Sequence, residues 1–440
     1  MELNLLGDFM IDEYEFYSIS RISPEAPVPV LIFNKYNLAL GGSGNLAGCL
    51  SLLGFKVNLY GVCSLESFSE IKKLCLKYNI NTDFLFKNNN IVTTRKLRIL
   101  GDNKQICRID KDSFLNKKDL KDFAKHLLKN INNESFMALS DYAKGTSDVF
   151  FEDLNIKPPK YIDPKYPDWS RYINCEFLKA NDKEFNQALD FSGCRDAYEL
   201  IKKFNILNLI VTRGEMGCSF YSNDLTIQVK GIPTQVKDVT GAGDSFMASF
   251  IWANEFGYDI ENSLNFANAA AACSVGFVGS YTPNFFEILD CLNKNLELDF
   301  NSNIFKYDKV LIGGCFDCLH AGHIHLFSEA IKLAKTLIIA INSNNSVTKL
   351  KGKSRPFQDI ETRVSNIKKL GISSNILVFD ESSPIKVLEE VRPDVFLKGG
   401  DYNGDEGFDD FNYCKENNID LHFVSTKKGF SSTRIINEIN

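Results

Sequence analysis

Apolar residues in this chain fall into two alternating kinds of stretch. Short runs such as Val57–Tyr60, Leu209–Thr212, Lys309–Gly313 and Leu337–Asn342 have the length and composition of buried strands. Longer stretches, Lys118–Leu128, Ser263–Val275 and Leu326–Lys335, repeat apolar positions at helical spacing and predict amphipathic helices. Strands and helices that alternate along a chain predict an α/β architecture with a mainly parallel sheet. Residues 296–303 break the pattern with a polar stretch, and a new strand follows at Lys309. The expected boundary lies there, giving domains over residues 1–298 and 307–440, each long enough to bury its own core.

Composition refines this picture. The 440 residues alone suggest about three domains at roughly 150 residues each. Hydrophobic residues make up 44% and charged residues 24%, the balance of a folded enzyme rather than a disordered or fibrous chain. A net charge of −6 argues against a nucleic-acid binder that works by neutralising phosphates. It leaves room for small phosphate sites. The N-terminus begins acidic and lacks a signal-peptide core, and no run approaches the ~18 apolar residues of a membrane span. A soluble, cytoplasmic protein is expected. Of 12 cysteines only Cys315 and Cys318 lie close together, unlike a disulfide framework, so reduced thiols are expected.

Chemistry concentrates first in Asp238-Val-Thr-Gly-Ala-Gly-Asp244, followed by residues suited to a helix. Gly241, Ala242 and Gly243 allow a tight turn whose N–H groups open onto an anion at a helix N-terminus. Asp244 stands at its lip, where a carboxylate can take the proton of a hydroxyl attacking a γ-phosphate. Alone, the stretch also reads as a glycine turn capped by an aspartate. Far upstream, Gly41-Gly-Ser-Gly-Asn45 precedes a helix of small residues, and Asp8 and Asp12 end the first strand. Gly41 and Gly42 permit close backbone approach to a polyol, and Asn45 offers both donor and acceptor. Asp12 can accept bonds from sugar hydroxyls, although each such feature taken singly also fits a turn or a cap.

Together these stretches resemble the two signatures of the ribokinase-like carbohydrate kinases. Within that family, Ser20–Val30 and Ser140–Gly145 resemble segments of heptose 7-phosphate kinases. The likeness covers roughly residues 1–298 and implies a three-layer α/β/α domain with a small β lid, often dimerised through that lid. It makes Asp244 the general base and Gly241–Gly243 the anion hole. It assigns Asn181 and Glu184 to the nucleotide, with Glu184 organising Mg²⁺ indirectly, and Thr212 and Gly214 to the ATP-side loop. Arg21, Arg108 and Lys144 become clamps for a phosphate already on the sugar, with plain salt bridges as the alternative. Ala180 stands where the family usually has a proline, implying a looser loop.

A second motif, Gly313-Gly-Cys-Phe-Asp-Cys-Leu-His-Ala-Gly-His323, follows a predicted strand and enters a helix. His320 and His323, three apart, share a helical face and suit a reaction at a nucleotide α-phosphate. Gly322 leaves room for the nucleotide. Cys315, Cys318, His320 and His323 also suggest a metal or redox site, but they are too closely spaced for the usual zinc pattern. The motif resembles the cytidylyltransferase-like nucleotidyltransferases over about residues 307–440. Lys349–Pro356, Glu361–Arg363, Leu397–Tyr402 and Gly429–Arg434 resemble further motifs, those of heptose 1-phosphate adenylyltransferases. The resemblance implies a small Rossmann-like sheet. It places His320 and His323 at the α-phosphate, with Lys351 and Arg363 on triphosphate charge. Phe316, Asp317, Gly322, Asp401, Ser431, Ser432 and Thr433 lie along the nucleotide. Residues 349–355 also read as a solvated basic loop. Gly314 replaces a usual Asn and Cys318 a usual Ile, which puts nucleotide affinity in question.

The two halves make chemical sense together. A kinase acting on an anomeric hydroxyl makes a sugar 1-phosphate, and a nucleotidyltransferase joins one to a nucleotide. The resemblance implies a bifunctional heptose 7-phosphate kinase and heptose 1-phosphate adenylyltransferase, using ATP and Mg²⁺. A separate phosphatase removes the 7-phosphate between the steps. The same reactions on another sugar phosphate or nucleotide, or one silent regulatory domain, remain as alternatives.

Overall fold

The computed structural model describes residues 1–102, 104–151, 156–277, 279–295, 307–317, 333–352, 355–369, 375–399 and 409–424, with Leu319, His323, Leu326, Phe327, Glu329, Ala330 and Ser373. The chain divides into two compact units, Met1–Pro283 and Asn284–Asn440. No helix among the described residues is long and apolar enough to cross a membrane.

The first unit opens with β1 (Glu2–Gly7), then the long strands β2 (Phe9–Ile22) and β3 (Pro29–Gly42). Helix α1 (Ser43–Leu52) leads to β4 (Lys56–Tyr60), β5 (Val62–Ser64), α2 (Phe68–Leu76) and β6 (Phe86–Asn88). Strands β7 (Thr94–Gly101) and β8 (Lys104–Lys111) precede α3 (Lys117–Asn130) and β9 (Phe136–Ser140). The remainder runs β10 (Tyr161–Asp163), β11 (Phe177–Asn181), α4 (Asp182–Ser192), α5 (Ala197–Phe204), β12 (Asn208–Thr212), β13 (Cys218–Tyr221) and β14 (Thr226–Val229). It ends with α6 (Ala242–Glu255) and α7 (Ile260–Ser274).

The main sheet has the order β14-β13-β12-β11-β10-β9-β1-β4. Its members from β12 to β4 are parallel, while β13 and β14 are antiparallel. Parallel strands bury both faces, which is why Leu3, Leu5 and Leu6, or Leu209, Ile210 and Val211, are apolar in succession and buried. Side chains of α3, α4 and α5 form one core with strand residues such as Leu139, Ile162 and Leu178. Helix α1 packs on β1 and β4 and on α6, which packs on α7. Both α1 and α6 are apolar around most of their circumference, as helices inside a protein must be. Ser43–Leu50 and Asp244–Ala253 are all buried.

A second sheet, β3-β2-β7-β8, forms the lid. Its register places Ala39, Asp12, Lys96 and Asp110 in one cross-strand row and Asn37, Tyr14, Arg98 and Arg108 in the next. Residues two apart on a strand share a face, so both rows lie on the same side of the lid.

The second unit holds β15 (Tyr307–Gly314), β16 (Ala334–Asn342), β17 (Asn375–Phe379), β18 (Val395–Gly399) and β19 (Asp420–Val424). They form a wholly parallel sheet in the order β17-β16-β15-β18-β19, a Rossmann-like arrangement. Alternate residues of β15 feed opposite faces: Val310 and Ile312 enter one core, Leu311 the other. The helix expected over Leu326–Lys335 ends earlier. Ala334 already pairs with Tyr307, since β16 begins there and runs to Asn342.

Candidate active sites

Parallel strands present their carboxyl ends on one edge, where α/β proteins place ligands. Asp8 follows β1, Asp141 and Tyr142 follow β9, and Asp163, Asn181 and Thr212 end β10, β11 and β12. Asp8 is buried and its carboxylate accepts from the backbone N–H of Tyr142 at 2.8 Å, Lys144 at 3.0 Å and Thr146 at 3.0 Å. It therefore fixes a turn in which Ala143 and Gly145 have φ of 58° and 102°. Tyr142 is thereby aimed at the start of α6.

Asp244 lies in the first turn of α6, after Gly241 with φ 82°. Its Oδ2 accepts from Asn45 Nδ2 at 2.6 Å, and its Oδ1 from the Tyr142 hydroxyl at 3.1 Å. Packing of α1 on α6 brings Asn45 there across 199 residues of sequence. Burial raises the Asp244 pKa, partly opposed by the Asn45 bond, the nearby Lys179 charge and the Tyr142 bond. A Cβ added to Gly243 would stand 3.1 Å from Lys179 Nζ, so this ammonium flanks the glycine turn. Lys179 is buried and pairs with Asp163 at 2.7 Å. Burial alone would lower its pKa, but Asp163, Glu184 and Asp244 outweigh that and raise it, keeping the ammonium charged. Asp163 is raised to about 7, chiefly by burial.

On the lid side, Asp12 is buried and pairs with Arg98 at 2.5 Å. The close approach at Gly41 and Gly42 is to the protein itself. A Cβ on Gly41 would meet Asp12 Oδ2 at 2.7 Å, and one on Gly42, φ 56°, the Asp8 carbonyl at 2.4 Å.

The three sugar-phosphate clamps expected from sequence are not grouped. Arg21 is exposed and pairs in register with Val30 on the outer part of the lid. Arg108 pairs with Asp110 at 2.7 Å and Lys144 with Asp112 at 2.7 Å. Asn181 and Glu184 form a reciprocal capping box at the start of α4, and Glu184 Oε1 also accepts from Lys165 at 2.8 Å. Thr212 closes β12, and Gly214, φ 55°, begins the turn after it. The looser loop expected around Ala180 is absent. Ala180 is a buried strand residue in register with Val211.

Sequence reading missed Lys179, Asp163, Tyr142, Lys96 and Arg98. The signal available for Lys179 was a lone cation inside the apolar run of β11.

In the second unit, β15 ends at Gly314 and the chain turns through Phe316, φ 46°. The buried Phe316 ring lies 5.3 Å from the His323 ring and 5.1 Å from that of Phe327. A Cβ on Gly314 would approach this ring to 3.0 Å, so an Asn there would force the ring to move. Asp317 is 1% exposed and accepts from Phe357 N and Gln358 N at 3.0 Å and from Arg355 at 2.8 Å. Burial would raise its pKa, but these three donors prevail and lower it.

Arg363, expected on triphosphate, is fully buried instead. Its guanidinium donates to the carbonyls of Gln358, Cys315 and Asn342 and to Asn344 Oδ1. It ties the β15 turn to the end of β16. Lys351 is exposed at the end of the helix Asn344–Lys351, and its charge, like those of Arg363 and Arg355, reaches Cys315. His320, Gly322, Asp401, Ser431, Ser432 and Thr433, with Cys318, lie outside the described residues. Among the described residues no group of three or more His, Cys, Asp or Glu side chains is placed to hold a metal.

Comparison with known proteins assigns each half of the chain to a family. Residues 2–285 match the pfkB family carbohydrate kinases and residues 311–438 the cytidylyltransferase-like family. The first unit shares its fold with phosphofructokinase-2 from Escherichia coli, at TM-score 0.55 and 16% identity, covering 66% of this chain and 98% of that one. A nucleoside kinase of the ribokinase family from Methanocaldococcus jannaschii gives TM-score 0.52 at 21% identity, covering 67% and 99%. Bifunctional protein HldE from Campylobacter curvus is 33% identical, with 92% of both chains covered. Its counterpart from Haemophilus influenzae is also 33% identical, covering 99% of this chain and 96% of that one. With two family domains in the same order and relatives matched over nearly their full length, the chain belongs to the bifunctional HldE family, a pfkB-type carbohydrate kinase joined to a cytidylyltransferase-like nucleotidyltransferase.

Proposed function

We propose that the chain catalyses two steps of ADP-heptose biosynthesis. The first unit phosphorylates D-glycero-D-manno-heptose 7-phosphate at O1 with ATP. The second joins AMP from ATP to heptose 1-phosphate, releasing pyrophosphate. The observation that carries the kinase reading is the convergence of Asn45 and Tyr142 on Asp244 beside the glycine turn.

In the first reaction the anomeric hydroxyl attacks the γ-phosphorus, its proton passes to Asp244, and ADP leaves. Asn45 and the Tyr142 hydroxyl take two of the carboxylate's roughly four acceptor positions, which leaves room for the sugar hydroxyl. Backbone N–H groups of Gly241–Gly243 and the Lys179 ammonium face the charge carried by the transferred group. Mg²⁺ fits a site with hard oxygen donors and a sparse protein shell. Glu184 would hold it through water, and it would neutralise phosphate charge.

In the second reaction an oxygen of the sugar 1-phosphate attacks the α-phosphorus and pyrophosphate leaves. His320 and His323 donate to the phosphate oxygens, and Lys351 neutralises the triphosphate. Asp317 and Arg363 act as positioning residues for this turn. A separate phosphatase removes the 7-phosphate between the steps. Exposed Ile19, Ile22, Ile32 and Phe33 on the lid support a homodimer formed through it.

The test uses ATP, Mg²⁺ and heptose 7-phosphate, with products read by mass spectrometry. Asp244→Asn should lower kinase turnover about 10²–10⁴-fold while leaving adenylyl transfer. His323→Ala should do the reverse. Retained kinase turnover in Asp244→Asn would sink the base assignment.

A further inference from the structure

Resting on the sugar-phosphate kinase reading, we propose that Lys96 is the cation that recognises the phosphate already carried by the sugar. It would form an anion subsite on the inner face of the lid. The two cross-strand rows on that face carry three cations, Lys96, Arg98 and Arg108, and two carboxylates, Asp12 and Asp110. Arg98 is taken by Asp12 at 2.5 Å and Arg108 by Asp110 at 2.7 Å. One positive charge is left, on Lys96. Among the described residues no carboxylate lies within ion-pair distance of its ammonium.

Lys96 is also well placed. Its Nζ lies 5.2 Å from the centroid of the Tyr142 ring, and the hydroxyl of that ring reaches Asp244. The cation therefore stands one aromatic ring away from the base, where the far end of a sugar held at Asp244 would lie. Burial lowers its pKa, the state of an ammonium that has lost water without gaining a full counter-charge. A phosphate dianion supplies that charge. A sugar hydroxyl supplies only a neutral acceptor. The other basic candidates are already paired or distant: Lys144 pairs with Asp112, and Arg21 lies on the outer lid.

The experiment compares the full chain with Lys96→Met and Lys96→Arg at saturating ATP. Each enzyme is given heptose 7-phosphate, the same heptose without its phosphate, and other sugar phosphates. Lys96→Met should lower kcat/KM for the phosphorylated sugar by about tenfold to a hundredfold, mostly through KM, the worth of a hydrogen bond to a charged group. Turnover of the unphosphorylated sugar should hold, which also shows that the variant is folded. Lys96→Arg should keep a preference for the phosphorylated sugar. Equal losses on both sugars would overturn the proposal, since a cation serving the transferred phosphoryl group would give that result. Unchanged kinetics would overturn it too. If the wild-type protein prefers a different sugar phosphate and Lys96→Met erases that preference, Lys96 stands and the heptose assignment falls. A wild-type preference for the unphosphorylated sugar would overturn both.

Discussion

In its proposed role as general base Asp244 must be ionised to accept a proton, yet its burial favours the neutral acid. Asn45 and Tyr142 resolve the conflict by donating to the carboxylate, which stabilises its charged form. The raised pKa means that kinase kcat/KM is lost as pH falls through a value above that of an ordinary aspartate. Removing a donor takes away stabilisation of the anion and raises that value further. Tyr142→Phe should therefore move the acid limb of the kinase pH profile upward and lower the rate near neutral pH by about threefold to tenfold, the worth of one hydrogen bond. A rate reduced equally at every pH would instead mean that Tyr142 only contacts the sugar. Asp244 and Asn45 were legible in the sequence because each sits in a glycine-rich signature. Tyr142 and Lys179 were not, because their roles depend on strand ends that meet only in the folded sheet. Nor could the sequence show that Arg108 and Lys144 have carboxylate partners beside them.

Among the elements, residues 355–358 after the helix Asn344–Lys351 are anchored chiefly by one side chain. Asp317 binds two consecutive backbone N–H groups, Phe357 and Gln358, and Arg355. Arg363 closes the other side by bonding three carbonyls. Asp317→Ala would leave part-buried donors without an acceptor, at about 1–3 kcal/mol of stability. Adenylyl transfer should fall and the thermal transition of the second unit should shift down, while kinase turnover stays. The sign with pH follows from the lowered pKa: the stabilisation is present above the unfolded value and is lost as pH falls through the folded one. Acidification should therefore narrow the stability gap between wild type and variant, and a constant gap would count against this role. The motif around Asp317 was readable, but its partners forty or so residues later were not, since hydrogen bonds to backbone leave no mark on residue type. Strands with continuous apolar runs were legible for a plain reason: a parallel sheet buries both faces. The lid was harder, because the outer halves of β2 and β3 are exposed and carry mixed residues.

At the scale of the whole molecule, a net charge of −6 is compatible with anionic substrates because recognition is local. As proposed, the kinase site would rely on the glycine turn, Lys179 and Lys96, and the second site on Lys351 and its histidines. Two compact units house the two reactions, and the chemistry between them limits how they can cooperate. Under the proposed function the kinase product is a sugar bisphosphate. In the proposed pathway the nucleotidyltransferase substrate has lost one of those phosphates, so under that reading the intermediate leaves the chain, meets a phosphatase and returns. On that reading fusion would fix equal amounts of the two activities without direct transfer. Chains carrying Asp244→Asn mixed with chains carrying His323→Ala should accordingly make ADP-heptose when the phosphatase is added. The rate should be about half that of the same total amount of wild type, because each chain brings one working site. A mixture more than about tenfold slower than wild type, a gap worth about 1.4 kcal/mol, would show that the bisphosphate is retained near the chain that made it. The proposed dimerisation through the lid would leave this expectation unchanged, since each unit carries its own proposed catalytic groups.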